Sequence, residues 1–268
     1  KAKTDRLDLT RATRANLSPV WGLSLTPGLT RLLDEPGEPV GSVVVEGVVH
    51  SFERVSDPAR VASISKAVAS FDVVIADGHH RYAISRTFRD EERAAGRDAG
   101  TTMTYVGELI ADQLSVDAIH RLYSGIPAAD LEAALRRSFD VEEAGPVDAT
   151  ITRAMTDRGR LVLVRADGSG AWLTPRPEAF AGVRDLDGAR LEHALADVRH
   201  EVSYQHGVGN VVGIVASGGA VTAGVLIRPV SVAEIRRTAD EGLLMPPKST
   251  FFTPKLRTGP VIRPFDLR

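Results

Sequence analysis

The sequence of 268 residues contains no cysteine, which excludes disulfides, thiolate metal sites and cysteine nucleophiles. It has no apolar stretch near the roughly 20 residues that a membrane-spanning helix needs, and no signal-peptide pattern. The formal net charge is only -2, so no strong positive field favours nucleic acid or a membrane surface. These absences predict a cytoplasmic protein that acts on small molecules and has neither nucleic acid nor membrane as a partner.

Several common site motifs are missing as well. The sequence has no G-x-x-x-x-G-K-[ST] pattern, which excludes a P-loop. Gly207, Gly209 and Gly213 have a spacing one residue too long for a dinucleotide fingerprint, and the pattern after them predicts a strand where that fingerprint needs a helix. His79 and His80 are adjacent, so they lack the spacing that places two zinc ligands on one helix face. The chemistry of this chain has to rest on other groups.

Helix and strand patterns are mixed along the chain, which predicts an α/β or α+β fold. The helix patterns cover residues 3–16, 57–68, 82–95, 131–139 and 231–242. The strand patterns cover residues 43–45, 48–52, 71–76, 103–110, 151–155, 161–164, 211–216 and 220–227. Asp57-Pro58 is typical of a helix N-cap followed by proline in the first turn, and Glu46-Gly47 between two valine-rich runs predicts a β-hairpin.

The strongest site signal is the pentad Asp77-Gly78-His79-His80-Arg81, between a buried-strand pattern and a helix pattern. At such a turn free backbone N–H groups and the helix dipole favour anions, and glycine allows the backbone to approach a ligand. The histidines can donate to phosphate oxygens, and Arg81 can clamp them with two hydrogen bonds. Asp77 can accept a substrate proton or hold a cation. The alternative is that Asp77 only caps the helix and the histidines are surface groups.

Two later segments carry similar donors. His120-Arg121 follows a predicted strand, and such a pair also fits a solvated surface unless it lies near Arg81. The segment Met245–Lys255 is stiffened by prolines, and its alternative is a packed tail with solvated lysines. The donors of this segment that suit phosphate are Lys248, Ser249, Thr250 and Lys255.

These segments together resemble the ParB/sulfiredoxin-like superfamily, in which the pentad is part of a nucleotide-binding box. They are most similar to a branch of free serine kinases that includes pyrophosphate-dependent members. The resemblance extends from end to end of the chain and implies a mixed sheet with flanking helices plus an additional α+β region. The blocks that carry it are Lys3-Thr4-Asp5-Arg6, Asn16-Leu17-Ser18-Pro19, His50, Ile75–Tyr82, His120-Arg121 and Met245–Phe252.

The resemblance implies phosphoryl transfer to the hydroxyl of free L-serine, which gives O-phospho-L-serine for cysteine biosynthesis or related metabolism. Pyrophosphate is the expected donor, and because it offers no base or ribose to grip, its site should be dense in cations and assisted by Mg²⁺. Asp77 and His79 are the expected catalytic residues, and Asp77 the expected metal ligand. The expected substrate- and phosphate-binding residues are His50, His80, Arg81, His120, Arg121, Lys248, Ser249, Thr250 and Lys255.

We expect residues 1–125 to form the ParB-like core, residues 126–230 an α+β region, and residues 231–268 a C-terminal helix and phosphate-binding tail that packs on the core. Family members carry a longer N-terminal part, so we also expect a missing N-terminal segment, or another chain of the same protein, as a partner that could hold the general base. Glu46 is the nearest candidate for that base within this sequence.

Three alternatives stay open beside the pyrophosphate-dependent kinase. The first is a serine kinase that uses ATP or ADP. The second is a nucleotide-gated, ParB-like binding module without transfer chemistry, against which the net charge of -2 argues. The third is a phosphatase that acts on phosphoserine.

Overall fold

The computed structural model describes residues 2–97 and 100–265, and the side chains of Lys3 and Thr4 in the N-terminal block lie outside the described part. The chain forms two compact units. The first unit comprises residues 1–115 and 252–268, and the second comprises residues 116–251. The helix predicted near residue 231 therefore belongs to the second unit, whereas the tail after Phe251 belongs to the first.

The described residues form helices and strands throughout both units, which confirms the predicted α/β class. The helices are α1 (Ala2–Thr13), α2 (Leu29–Leu33), α3 (Pro58–Ala69), α4 (His79–Ala94), α5 (Ala128–Leu135), α6 (Ile151–Arg158), α7 (Asp187–Ala194), α8 (Val208–Ala216) and α9 (Val232–Asp240). The strands are β1 (Ala15–Asn16), β2 (Val20–Ser24), β3 (Glu38–Val45), β4 (Val48–Arg54), β5 (Val73–Asp77), β6 (Thr104–Glu108), β7 (Ser115–Asp117), β8 (His120–Ser124), β9 (Phe139–Pro146), β10 (Leu161–Val164), β11 (Ser169–Pro175), β12 (Glu201–Gln205), β13 (Val221–Leu226), β14 (Phe251–Thr253) and β15 (Arg263–Pro264). No helix within residues 2–97 and 100–265 is long and apolar enough to cross a membrane.

The centre of the first unit is a three-stranded sheet in the order β5-β2-β6, in which β2 is antiparallel to β5 and parallel to β6. Strands β3 and β4 form the predicted hairpin. The expected succession of helix, strand, tight turn and helix is confirmed in α3, β5 and α4, and Asp77 is the last residue of β5. The side chain of Asp57 caps α3 by accepting a hydrogen bond of 2.7 Å from the backbone N–H of Arg60.

The second unit is built on a six-stranded antiparallel sheet in the order β12-β8-β13-β10-β11-β9. Alternate side chains of each strand face opposite sides of the sheet. One face packs on Leu131 of α5 and Leu191 of α7, and the other packs on Met155 of α6 and Val211 of α8. The sheet therefore carries helices on both faces.

Two strand predictions in this unit are wrong. Residues 151–155 lie in α6, and residues 211–216 lie in α8. The glycine segment is therefore followed by a helix where we predicted a strand: Gly207 precedes α8, and Gly209 and Gly213 lie within it. Valine and isoleucine favour strands, but this preference depends on the surroundings. The buried residues Val208, Val211 and Val215 are spaced three and four apart, so a helix buries all of them against the sheet.

Candidate functional site

The turn between β5 and α4 is built around Gly78. Its φ angle is +88°, in the left-handed region that glycine adopts without strain. A Cβ atom at this position would also lie 2.8 Å from Nε of Arg81. Glycine at this position therefore allows the turn to form and leaves room for the Arg81 side chain to pack against it.

Arg81 links this turn to the Asn16–Pro19 segment. Its Nη2 atom donates to Oδ2 of Asp77 at 3.0 Å, and its Nη1 atom donates to the hydroxyl of Ser18 and to the carbonyl of Pro19. Three of the five guanidinium N–H groups thus have protein acceptors. The side chain that we expected to clamp phosphate also fixes the Asp77 carboxylate in place.

Lys255 reaches the same carboxylate from the tail. Its Nζ atom lies 3.8 Å from Oδ2 of Asp77, and both side chains are about one third exposed. Phe252 anchors the tail on Trp21, with ring centroids 5.6 Å apart, and Trp21 is the β2 residue paired with Asp77. The first unit therefore brings together an acid and two cations from segments that are distant in the sequence.

The three other predicted residues of the first unit do not join this cluster by hydrogen bonds within the described part of the chain. His79 and His80 are exposed on the first turn of α4. His50 lies in β4 opposite Val43, and its Nε2 atom is buried without a hydrogen-bond partner among the described residues. Glu46, the candidate base, forms an ion pair with Arg257 at the tip of the hairpin. None of these observations gives Glu46 access to the Asp77 turn.

His120 begins β8 in the second unit and is only 3% exposed. Its Nδ1 atom accepts a hydrogen bond of 3.2 Å from the backbone N–H of Ile227. Burial, together with the positive charges of Arg121 and His206, lowers the pKa of His120 to about 4. The ring is therefore neutral at pH 7, and because Nδ1 is the acceptor, Nε2 carries the proton.

Arg121 is 2% exposed and holds the loop that contains Lys248. Its Nη1 atom donates to the carbonyls of Ile119 and of Lys248, the latter at 3.2 Å, and its guanidinium lies 5.1 Å from the ring centre of Tyr204. Burial lowers the pKa of Arg121, and the nearby tyrosines and acids oppose this effect. Its Nη2 atom has no partner within residues 2–97 and 100–265, and lies near Gly188, beside a cavity of about 30 Å³.

The loop that Arg121 holds has a strained backbone at Lys248, whose φ angle is +61°. The side chain of Lys248 is exposed, Ser249 is buried, and Thr250 is half-buried. The Lys248 side chain is therefore exposed to solvent, while the buried guanidinium of Arg121 holds its backbone in place. The predicted convergence of Arg81 with His120, Arg121 and Lys248 joins residues of different units, and it stays a prediction.

The described residues do not build a resident metal site. Within residues 2–97 and 100–265, no group of three or more histidines and acids is placed to hold an ion. Oδ2 of Asp77, the predicted metal ligand, already contacts Arg81 and Lys255. Mg²⁺ usually keeps several waters and binds one or two carboxylates plus substrate phosphates. Asp77 could therefore supply one ligand to a magnesium ion that enters with a phosphate substrate, and this role stays a proposal.

Trp21 and Tyr105 are two residues near the site that the sequence analysis did not single out. Trp21 is the register partner of both Asp77 and Tyr105, so the three side chains form a row across the sheet. The two rings are in edge contact, with centroids 5.9 Å apart, and Tyr105 is half-exposed. The position of Trp21 two residues after the Asn16–Pro19 block is the one sequence signal that could have indicated it.

The fold of the chain is similar to that of a solved free serine kinase. A glutamate-to-alanine variant of a free serine kinase in complex with ADP is 14% identical, with a TM-score of 0.50, over 97% of this chain and 82% of that one. A conserved hypothetical protein from Pyrococcus furiosus is 12% identical, with a TM-score of 0.48, over 98% of this chain and 88% of that one. SbnI from Staphylococcus aureus, with a C-terminal truncation, is 11% identical, with a TM-score of 0.47, over 96% of this chain and 77% of that one.

Residues 1–189 match the family described as "Protein of unknown function (DUF1015)", and the chain belongs to this family. No curated protein matches the sequence. The likeness to solved structures at these identities shows the fold, so substrate and donor have to be argued from the site.

Proposed function

We propose that the chain is a cytoplasmic phosphotransferase that converts free L-serine to O-phospho-L-serine with inorganic pyrophosphate as the donor. The observation that carries this proposal is the Asp77 turn, at which one carboxylate lies between Arg81 and Lys255 at the N-terminus of α4. The fold shared with a free serine kinase supports it. The pyrophosphate-dependent branch is favoured by the sequence blocks that resemble it.

Phosphoryl transfer needs alignment and neutralisation of charge more than covalent help from the protein. In the proposed reaction the serine hydroxyl oxygen forms a bond to one phosphorus of pyrophosphate, the bridging P–O bond breaks, and inorganic phosphate leaves. Asp77 would accept the hydroxyl proton. Lys255 and the exposed His79 and His80 at the start of α4 would face the phosphoryl oxygens, with the helix N-terminus adding favourable dipoles.

Arg81 would act partly through Asp77 in this scheme. Since its donors already contact Ser18, Pro19 and Asp77, its first effect is to hold the carboxylate in one orientation.

A second candidate is a serine kinase that uses ADP or ATP, and Tyr105 favours it. This half-exposed ring lies in the same row as Asp77, beside the buried Trp21. An exposed aromatic ring can stack on a nucleobase, which contributes about 1–3 kcal/mol in proteins that bind single-stranded nucleic acid. Pyrophosphate has no base and gains nothing from such a ring.

The test is a donor comparison in which phosphorus NMR and mass spectrometry detect phosphoserine. The protein is incubated with L-serine, Mg²⁺ and pyrophosphate, ADP or ATP in separate reactions, beside the variant Lys255→Met and the control Lys66→Met, whose lysine is exposed on α3. We expect phosphoserine with pyrophosphate, a strong loss in Lys255→Met and none in Lys66→Met. Product with only ADP or ATP would establish the second candidate, and no product with any donor would disprove both.

A further inference from the structure

The turn from β12 into α8, residues 205–210, offers unused backbone donors. The strand ends at Gln205, the chain turns at His206-Gly207, and α8 begins at Val208. Gly207 has a φ angle of +79° and makes no side-chain cap, and the first turn of α8 contains no acid. The first N–H groups of a helix have no acceptor inside it. This turn, which we call the α8 turn, therefore presents N–H groups and the positive end of the helix dipole.

His120 supplies a second, independent donor beneath the α8 turn. It pairs with Gln205 across β8 and β12, so the two side chains share a face of the sheet. Leu122, two residues further along β8, lies on that face and belongs to the same buried cluster as Val211 of α8. His120 therefore faces α8, and its strand partner Gln205 directly precedes His206.

The outer nitrogen of His120 has no protein acceptor. Its Nδ1 atom is occupied by the backbone N–H of Ile227, and no group within residues 2–97 and 100–265 accepts a hydrogen bond from Nε2. The side chain of His120 is only 3% exposed, so the number of acceptors that can reach this N–H is small. A ligand that accepts hydrogen bonds at this turn would satisfy it.

The loop of Lys248 lies at the edge of the same turn. The ring of Phe251 stacks on His206 with centroids 4.1 Å apart and an angle of 20° between the planes. Arg121 fixes the other part of the loop through the Lys248 carbonyl.

We propose that the α8 turn is a binding site for a phosphate-type oxyanion, held by the first-turn N–H groups of α8, Nε2–H of His120 and the His206 ring. Donors that come from both the helix end and the sheet below suit an anion with oxygens in several directions. The site lies entirely in the second unit. It requires no serine and no phosphoryl transfer, so it can fail or hold separately from the proposed kinase activity.

The test is a titration of the full ¹⁵N-labelled chain with inorganic phosphate, followed by amide NMR. We expect the amides of Val208, Gly209 and Asn210 to shift. Gly209 has free space around an added Cβ and no positive φ, so Gly209→Ala and Gly209→Asp are both tolerated. Gly209→Ala should bind phosphate like the native chain, whereas the carboxylate of Gly209→Asp should weaken binding by at least about 10-fold through like-charge repulsion. Gly213→Asp adds the same charge further along the same helix and should bind normally.

A loss of binding in Gly209→Asp cannot be attributed to unfolding if its melting temperature is not lowered, and an acid in a first helical turn is favourable. His120→Asn provides a second test. The shorter amide side chain can still accept a hydrogen bond from the backbone N–H of Ile227, but it has no donor at the position of Nε2. It should also weaken phosphate binding. No amide shift at the α8 turn with phosphate, or equal affinity in the Gly209 variants, would overturn the proposal. Shifts at these amides with L-serine alone would show a carboxylate site and overturn it as well.

Discussion

The side chains of His120 and Arg121 lie on opposite faces of the six-stranded sheet, although the two residues are neighbours in β8. His120 pairs with Gln205 and faces α8, whereas Arg121 pairs with Tyr204 and contacts Gly188 of α7. One residue presents a neutral N–H donor, and the other holds a loop with a buried positive charge. Substitutions of the two residues should therefore have different effects.

Burial of His120 should make the stability of the protein depend on pH. Its pKa is about 4 in the folded chain, below the ordinary value of about 6.5 that it regains on unfolding. Between these values the unfolded state binds a proton that the folded state does not, so stability falls as the pH decreases from about 6.5 to 4. The loss from this residue approaches about 3 kcal/mol at the low end. Urea unfolding at several pH values measures it.

The matched variant is His120→Asn, whose side chain does not titrate. It should lower stability at pH 7, because the larger ring is lost from a packed site, but it should flatten the decline between pH 6.5 and 4. His206→Asn removes an exposed histidine near the same turn and should leave the decline almost unchanged. The same pH dependence in the native chain and in His120→Asn would contradict the assignment.

Replacing Asp77 with Asn should separate charge from shape at the turn. Asn still accepts a hydrogen bond from Arg81, so the unfolding free energy should change by less than about 1 kcal/mol, the usual contribution of a partly exposed ion pair. Serine phosphorylation should fall by about 10²-fold or more if Asp77 accepts the proton. The turnover rate at saturating serine and pyrophosphate and the melting temperature are measured together. Asp72→Asn, which replaces an exposed acid just before β5, is the control. Normal turnover in Asp77→Asn would exclude Asp77 as the proton acceptor.

Gly78 and Gly47 allow backbone strain to be separated from damage to the site. Both have φ angles near +80°, so alanine at either position should cost about 1 kcal/mol of stability. A Cβ at Gly47 meets no atom within 4 Å, whereas at Gly78 it meets the guanidinium of Arg81. We expect similar losses of melting temperature in the two variants but loss of serine phosphorylation only in Gly78→Ala. Equal activity in the two would show that the position of Arg81 does not matter.

The parts of the first unit that the sequence predicted well depend on local signals. The Asp57-Pro58 cap, the Glu46-Gly47 hairpin and the strand that ends at Asp77 are each specified by neighbouring residues, and each is present in the structure. The contact of Lys255 with Asp77 is of another kind. It results from the return of the tail to the first unit. The side-chain chemistry of Lys255 made it a predicted phosphate donor, but it gave no indication of the contact with Asp77.

The second unit shows where local patterns fail. The run of β-branched residues in α8 predicts a strand. A helix forms because it places Val208, Val211 and Val215 on one side, where all three pack against the sheet. The burial of Arg121 could not be predicted either, because a His-Arg pair beside a polar segment usually lies on a solvated surface. Its burial depends on Gly188, which is distant in the sequence and has no side chain to fill the space that the guanidinium needs.

Gly188→Ala should therefore increase the mobility of the Lys248 loop indirectly, through Arg121. A Cβ at Gly188 would lie 2.6 Å from Nη2 of Arg121, so the guanidinium has to move, and its hydrogen bond to the Lys248 carbonyl should lengthen or break. Because Lys248 is exposed and followed by serine, trypsin can report on this loop by cleaving after Lys248. We expect cleavage at that bond to accelerate several-fold in Gly188→Ala, with slower change at other sites. Gly219→Ala, whose Cβ meets only a serine hydroxyl at 3.9 Å, is the control and should cleave at the native rate. If Gly188→Ala lowers the melting temperature but leaves cleavage after Lys248 unchanged, the guanidinium does not hold the loop, and the strained backbone of Lys248 must be fixed by other contacts.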